Sequence, residues 1–120
     1  MRILIADDHG IVRGGLKLLI ERQPDMEVVA EAEDGVDAFE QALKTKPDLC
    51  VMDVSMPRMN GIEATRHIRV LVPQMCIIGM SSDSRASVVS AFLSAGGTAF
   101  LPKEVVPIHL LEVIRTECSL

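Results

Sequence analysis

Leu49-Cys50-Val51-Met52-Asp53-Val54-Ser55-Met56-Pro57-Arg58-Met59-Asn60-Gly61-Ile62-Glu63 holds a strand, a loop and the start of a helix in succession. Its opening run, Leu49 to Met52, is apolar without alternation, as in a strand covered on both faces and therefore central in a parallel sheet. The run ends on one acid, Asp53. Ser55 to Gly61 then reads as a loop, and Asn60 followed by Glu63 three residues later reads as a capping box opening a helix. That helix carries Ile62, Ala64, Ile68 and Leu71 and closes before Pro73.

The same unit recurs on either side. Upstream, Ile3 to Ala6 makes a first strand, followed by a helix carrying Ile11, Val12, Leu16, Leu19 and Ile20 and halted by Pro24. Val28 to Ala32 makes a second strand whose alternating end, Val29-Ala30-Glu31-Ala32, places it at a sheet edge. Asp34 caps the next helix, with Val36, Phe39 and Leu43 as its face and Lys44, Lys46 and Pro47 at its end. Downstream, Met75 to Met80 is a fourth strand leading into Ser81-Ser82-Asp83-Ser84. A helix with Val88, Val89, Phe92 and Leu93 follows and stops at Gly96-Gly97. Thr98 to Leu101 is a short fifth strand, held to an edge because Pro102 cannot donate to a ladder. The last helix opens near Pro107 and carries Leu110, Leu111, Val113, Ile114 and Cys118. Strands alternating with helices in units of this length predict an α/β, doubly wound, five-stranded parallel sheet with right-handed crossovers.

Composition agrees with one folded domain. The chain has 120 residues, 48% hydrophobic and 24% charged, which suits a single core and excludes disordered or fibrous classes. Twelve Lys and Arg face seventeen Asp and Glu, a net charge of -5 with no basic stripe, so the domain itself is not expected to contact nucleic acid. No apolar run approaches the length of a membrane span, and Asp7-Asp8 turn the N-terminus acidic too early for a signal peptide. The expectation is a cytoplasmic protein that does not engage membranes. Cys50, Cys76 and Cys118 form no C-x-x-C pair, so zinc and redox-dithiol readings are set aside in favour of inert thiols.

In such a sheet, ligands bind beyond the carboxyl ends of the strands. The residues there are Asp7 and Asp8 after the first strand, Asp53 at the end of the third, Ser81 after the fourth and Lys103 after the fifth. Three carboxylates at one rim repel, and a bound cation relieves that repulsion. Mg2+ fits best, since it takes few protein carboxylates and shares the rest of its shell with water and phosphate. Lys103 offers a point charge and Ser81 a hydroxyl to phosphoryl oxygens. The set predicts phosphoryl transfer with Asp53 as nucleophile, already ionised at neutral pH and so needing no general base.

Taken together, Asp7-Asp8, Asp53, Met56-Pro57, Gly61, Ser81, Phe100 and Lys103 in this order resemble the receiver domains of two-component response regulators, over essentially the whole chain. The resemblance implies a flavodoxin-like strand order 2-1-3-4-5 with five helices, and residues 1–120 as one receiver domain with no output domain in the chain. It implies that a histidine kinase supplies the phosphoryl group to Asp53. Asp8, Asp53 and the Ser55 main-chain carbonyl would bind Mg2+ directly, with Asp7 acting through water. Ser81 and Phe100 would be a switch pair, changing an output surface made of the fourth helix, fifth strand and fifth helix. The receiver would catalyse its own phosphorylation and slow dephosphorylation rather than act as an enzyme on other substrates. Asp7-Asp8-His9, Ser81-Ser82-Asp83 and Ala95-Gly96-Gly97 resemble the subfamily whose receivers precede a helix-turn-helix DNA-binding domain, which implies control of transcription. Many receivers place proline directly after the lysine; here Pro102 precedes Lys103 and Glu104 follows it, as that subfamily also does.

Other readings are weaker. A small-substrate phosphatase of the haloacid-dehalogenase type has a second acid two residues after the nucleophile, and that position is Ser55. A binding module that takes no phosphate does not account for the complete acid, hydroxyl and lysine set. Flavin binding lacks both a phosphate-cradling loop and any Trp or Tyr. Singly, each residue has an ordinary role: Asp7-Asp8 as a helix cap, Ser81 in a turn, Lys103 as surface charge, Phe100 in strand packing. His9 reads as a solvated helix-start residue, and His67 and His109 as helical residues without partners. The last helix has more apolar residues than one buried stripe uses: Val105, Val106, Ile108, Leu110, Leu111, Val113 and Ile114. Some of them are expected to face outward as a partner or homodimer surface that serves on phosphorylation.

Overall fold

The structure, a computed structural model, describes residues 1–118. Its elements in chain order are β1 (Arg2–Ala6), α1 (Gly10–Glu21), β2 (Glu27–Ala32), α2 (Gly35–Thr45), β3 (Leu49–Asp53) and α3 (Gly61–Leu71). There follow β4 (Cys76–Ser81), α4 (Ala86–Ser94), β5 (Ala99–Pro102), a 3-10 turn (Lys103–Val105) and α5 (Val106–Glu117). The five strands pair in parallel in the order β2-β1-β3-β4-β5. The expected order holds, with the unbroken apolar run of β3 at the centre, every residue buried. The alternating β2 lies at one edge and the proline-ended β5 at the other.

Period sets which layer each side chain joins. Ile3, Ile5, Leu49, Val51, Ile78 and Met80 point to one face, where Leu16, Ile20, Leu110 and Ile114 of α1 and α5 cover them. Leu4, Ala6, Cys50, Met52 and Ile77 point to the other, under α2, α3 and α4. This alternation is the period-2 geometry of strands between two helix layers.

Capping follows the sequence signals. Asp34 accepts a hydrogen bond from the Asp37 amide (2.7 Å) and Asn60 one from the Glu63 amide (2.9 Å). The helix faces need correction. In α2 the buried residues are Gly35, Ala38 and Ala42, while Val36, Phe39 and Leu43 are half-buried. The small side chains let the helix lie close to the sheet, and Phe39 is used laterally against His67 of α3, ring centroids 6.0 Å apart, so His67 has a partner after all. Ile11, Leu71 and Leu93, assigned to core faces, are exposed. The expectation for α5 holds in part: Val106, Leu110, Ile114 and Cys118 form the buried stripe and Ile108 points outward, 74% exposed, but Val105, Leu111 and Val113 are half-buried against the core.

The inert-thiol reading fails for two cysteines. Cys76 at the start of β4 and Cys118 at the end of α5 are joined as a disulfide, Cα atoms 5.8 Å apart, while Cys50 stays free and buried. A separation of 42 residues carries no spacing signal; only the crossover that returns α5 along the sheet brings the two together.

Candidate functional site

Parallel strands deliver their carboxyl ends to a single rim, so the residues just past β1, β3, β4 and β5 become neighbours. Asp7 follows β1 and is wholly buried; Asp53, the last residue of β3, is 1% exposed. Lys103 begins the turn after β5 and reaches back between them, its Nζ 2.9 Å from Asp7 Oδ2 and 3.2 Å from Asp53 Oδ2. Ligand atoms of Asp7, Asp8, His9 and Asp53 all lie within 4.8 Å of one another.

Electrostatics sets the character of this rim. Burial, and then the charge of Asp7, push the Asp53 carboxyl up to about 6, against the opposing pull of the Ser55 amide and Lys103. Burial works against the charge on Lys103, but the close approach and charges of Asp7 and Asp53 outweigh it and hold Lys103 above the ordinary lysine range. One cation among three acids leaves a net negative pocket. Asp7 Oδ2 is buried and, although 2.9 Å from Lys103 Nζ, has no aligned hydrogen-bond donor among the described residues. A buried carboxylate oxygen left in this state, beside a second and a third acid, fits a small oxygen-seeking cation.

The surrounding groups hold the acids in place. Asp7 Oδ1 accepts from the His9 amide (2.8 Å), so this acid both joins the rim and shapes the entry to α1. Arg13 Nη1 donates to the Asp7 carbonyl (2.6 Å). Asp53 Oδ1 accepts from the Ser55 amide (3.0 Å). Gly61 is required here: a Cβ at that position would lie 2.9 Å from the Asp53 carbonyl carbon and from Val54 Cα, so α3 approaches the end of β3 only without a side chain.

The loop between Asp53 and Gly61 is pinned from the far side. Arg58 sits at φ 64, the left-handed region, and its guanidinium grips Asp34 through Nε (2.8 Å) and Nη2 (3.1 Å). That guanidinium, and then the Asp37 amide, hold Asp34 below the ordinary carboxylate range.

Of the residues named from sequence, Asp7, Asp8, Asp53 and Lys103 come together, with Ser55 directly behind Asp53. Ser81 is buried at the end of β4, one position beyond the Asp53–Met80 register pair, and its Oγ accepts from the Asp83 amide (2.9 Å). Phe100 is half-buried on β5 opposite Gly79, its ring 6.2 Å from that of Phe92. It therefore lies below the rim, against α4. Sequence reading passed over His9, whose Nδ1 is 3.1 Å from Oδ1 of both Asp7 and Asp8. Its adjacency to two acids was the available signal. Arg13 and Arg58 carried none, since their partners lie on other elements.

A protein-family model for the response regulator receiver domain matches residues 3–115. The chain belongs to the response regulator receiver domain family. It is 36% identical over 115 residues to the transcriptional regulatory protein DegU of Brevibacillus brevis, covering 96% of this chain and 49% of that protein. The response regulator domain of Thermotoga maritima CheB superposes with a TM-score of 0.92 at 36% identity, over 100% of this chain and 97% of that one. A LuxR-family two-component response regulator from Aurantimonas sp. SI85-9A1 gives 0.91 at 38% identity, covering 96% and 82%. The chain spans about half the length of the curated relatives it matches, as the coverage of DegU shows. This receiver is thus a signalling domain of the two-component type, similar to the receivers of transcriptional regulators. No helix among the described residues is long and apolar enough to cross a membrane.

Proposed function

We propose that this receiver takes a phosphoryl group onto Asp53 from a phosphohistidine of a histidine kinase, with Mg2+ as its cofactor. The observation that carries the reading is the position of Asp53: a buried carboxylate at the end of the central strand, within 3.2 Å of Lys103 Nζ and clustered with Asp7 and Asp8. An Asp53 Oδ atom attacks phosphorus as the P–N bond of the donor breaks, forming an acyl phosphate. Lys103 turns its charge from Asp53 to a phosphoryl oxygen, and the Ser81 hydroxyl leaves the Asp83 amide to donate to another. Asp7, Asp8, Asp53 and the Ser55 carbonyl are the groups that would hold Mg2+. When bound, that ion offsets the negative charge of the phosphoryl group in a site already short of cations.

The acyl phosphate is slowly hydrolysed within the same domain, so the receiver limits the life of its own signal. Phosphorylation then shifts the populations of the α4–β5–α5 surface through Ser81 and Phe100. The kinase docks on the apolar groove of about 480 Å³ between α1 and α5, whose lining includes Ile11, Leu18, Val106, Pro107 and Lys103. Residues 1–120 act as one receiver domain in the cytoplasm. In the whole protein a helix-turn-helix domain responds to it and controls transcription, in keeping with the transcriptional regulators to which this chain is similar.

Intact mass after incubation with acetyl phosphate tests the proposal. The expected result is one added phosphoryl group that requires Mg2+ and is absent in Asp53→Asn. A folded protein that gains no adduct in any condition overturns it.

A further inference from the structure

Cys76 is the first residue of β4 and Cys118 caps the end of α5, at the pole opposite the acidic rim. Their Cα separation of 5.8 Å lies within the range a disulfide requires. The segment between them holds β4, α4, β5 and α5, and with these Ser81, Phe100 and Lys103. The third cysteine, Cys50, is enclosed in β3, where burial pushes its thiol up to about 12.

Access distinguishes the pair from a sealed core contact. Cys76 is half-buried and Cys118 buried, and a cleft of about 310 Å³ is lined by both cysteines together with Asp48, Arg69, Pro73, Thr98 and Glu117. Cys76 is the side from which a small oxidant or reductant approaches. Beyond the sulfurs, the polar tie of the last turn of α5 is Arg115, which reaches Asp25 (2.9 Å) and Gln23 (3.0 Å) on the exposed surface. Exposed pairs of this kind hold weakly. Ile114 and Leu110, one and two turns earlier, are fully buried, so they anchor the body of α5 whatever the state of the sulfurs.

We infer that Cys76 and Cys118 form a reversible redox modification site, oxidised by a peroxide and reduced by a small thiol, whose disulfide clamps the last turn of α5 to β4. In oxidation the Cys76 thiolate attacks one peroxide oxygen and the O–O bond breaks, giving a sulfenic acid. The hydroxide released takes up the proton the thiol had lost and leaves as water. The Cys118 thiolate then attacks the sulfenic sulfur, the S–O bond breaks, and the departing hydroxide leaves with the Cys118 proton as a second water. Two thiols thereby lose two electrons and two protons, and the peroxide is reduced to water. A small thiol reverses the step by exchange through a mixed disulfide. Disulfides are transient in thiol-rich compartments, so the clamp closes there only under oxidation. The inference stands apart from the phosphoacceptor reading and needs no phosphorylation.

Thiol counting on the 120-residue protein tests it. Native protein is equilibrated with either hydrogen peroxide or excess reduced glutathione, then unfolded in N-ethylmaleimide and weighed. With three cysteines in the chain, the expected counts are one adduct after peroxide and three after glutathione, interconverting on changing the buffer. In hydrogen exchange, amides 115–118 of the reduced protein are expected to exchange roughly tenfold faster than in the oxidised protein, with β3 unchanged. Cys118→Ser is expected to show the faster exchange in both buffers. Three adducts after peroxide, one adduct that resists excess glutathione, or equal exchange in the two states would each overturn the inference.

Discussion

Asp53 and Asp34 are both buried acids, yet their surroundings drive them in opposite directions. Asp53 is raised to about 6 by burial and by Asp7. Between the ordinary carboxylate range and about 6, the folded state therefore holds a proton that the unfolded chain has lost. Stability from this group is present at the lower pH and declines as pH rises through that window. Asn at position 53 removes the buried charge, so Asp53→Asn is predicted to stabilise the metal-free protein at pH 7.5 by about 1–3 kcal/mol, with the gain shrinking below pH 4. Urea unfolding at the two pH values checks it. Asp34 is lowered by Arg58, so its contribution is present above the ordinary carboxylate range and is lost as pH falls through it. Asp34→Ala removes the α2 cap as well as the Arg58 pair and is predicted to cost about 1–2 kcal/mol at neutral pH by the same measurement. Lys103→Met leaves Asp7 and Asp53 without their cation. It is predicted to cost about 2–4 kcal/mol at pH 7.5, part of which millimolar Mg2+ restores in a thermal melt.

At the scale of elements, α4 is held by one ring. Phe92 is fully buried and lies over two glycines: a Cβ at Gly79 would come within 2.7 Å of its ring, and one at Gly97 would overlap it. Gly97 is therefore more than a helix stop, the role assigned to Gly96-Gly97 from sequence. Gly97→Ala is predicted to destabilise by about 1–3 kcal/mol, and Phe92→Leu in the same chain to recover part of that loss although Phe92→Leu alone is destabilising. A double-mutant cycle in urea reads the coupling. The element boundaries themselves were legible to within about two residues, because Asp34, Asn60, Pro24, Pro73 and Gly96 are local punctuation. The faces of α2 were not, since a helix that packs through Ala38 and Ala42 has its large apolar residues at the flank.

For the whole molecule, three of the large apolar residues left exposed lie on the neighbouring helices α1 and α5, while Val70 and Leu71 on α3 and Leu93 on α4 are exposed as well. Ile11 is 92% exposed, Leu18 60% and Ile108 74%, and α1 and α5 carry them on adjacent faces. Burying none of them stabilises the monomer, so Ile108→Ser is predicted to change its unfolding free energy by less than about 0.5 kcal/mol. Its effect belongs to association: sedimentation of the phosphorylated form is expected to shift toward monomer. Equal sedimentation of variant and parent would remove α5 from the homodimer surface.

By itself the sequence determined the alternation of strand and helix, the centrality of β3, the edge positions of β2 and β5, and the carboxylates placed just after β1 and at the end of β3. These are local properties: periodicity, capping residues and prolines act within a few positions, and parallel connectivity then sends every strand end to one rim. Tertiary structure alone decided what meets across the chain. It set Lys103 between Asp7 and Asp53, turned Arg58 back onto Asp34, seated Phe92 on Gly79 and Gly97, and brought Cys76 to Cys118. Such pairs depend on the approach angles of helices to a twisted sheet, and those angles follow from the packing of all the layers together rather than from any one segment.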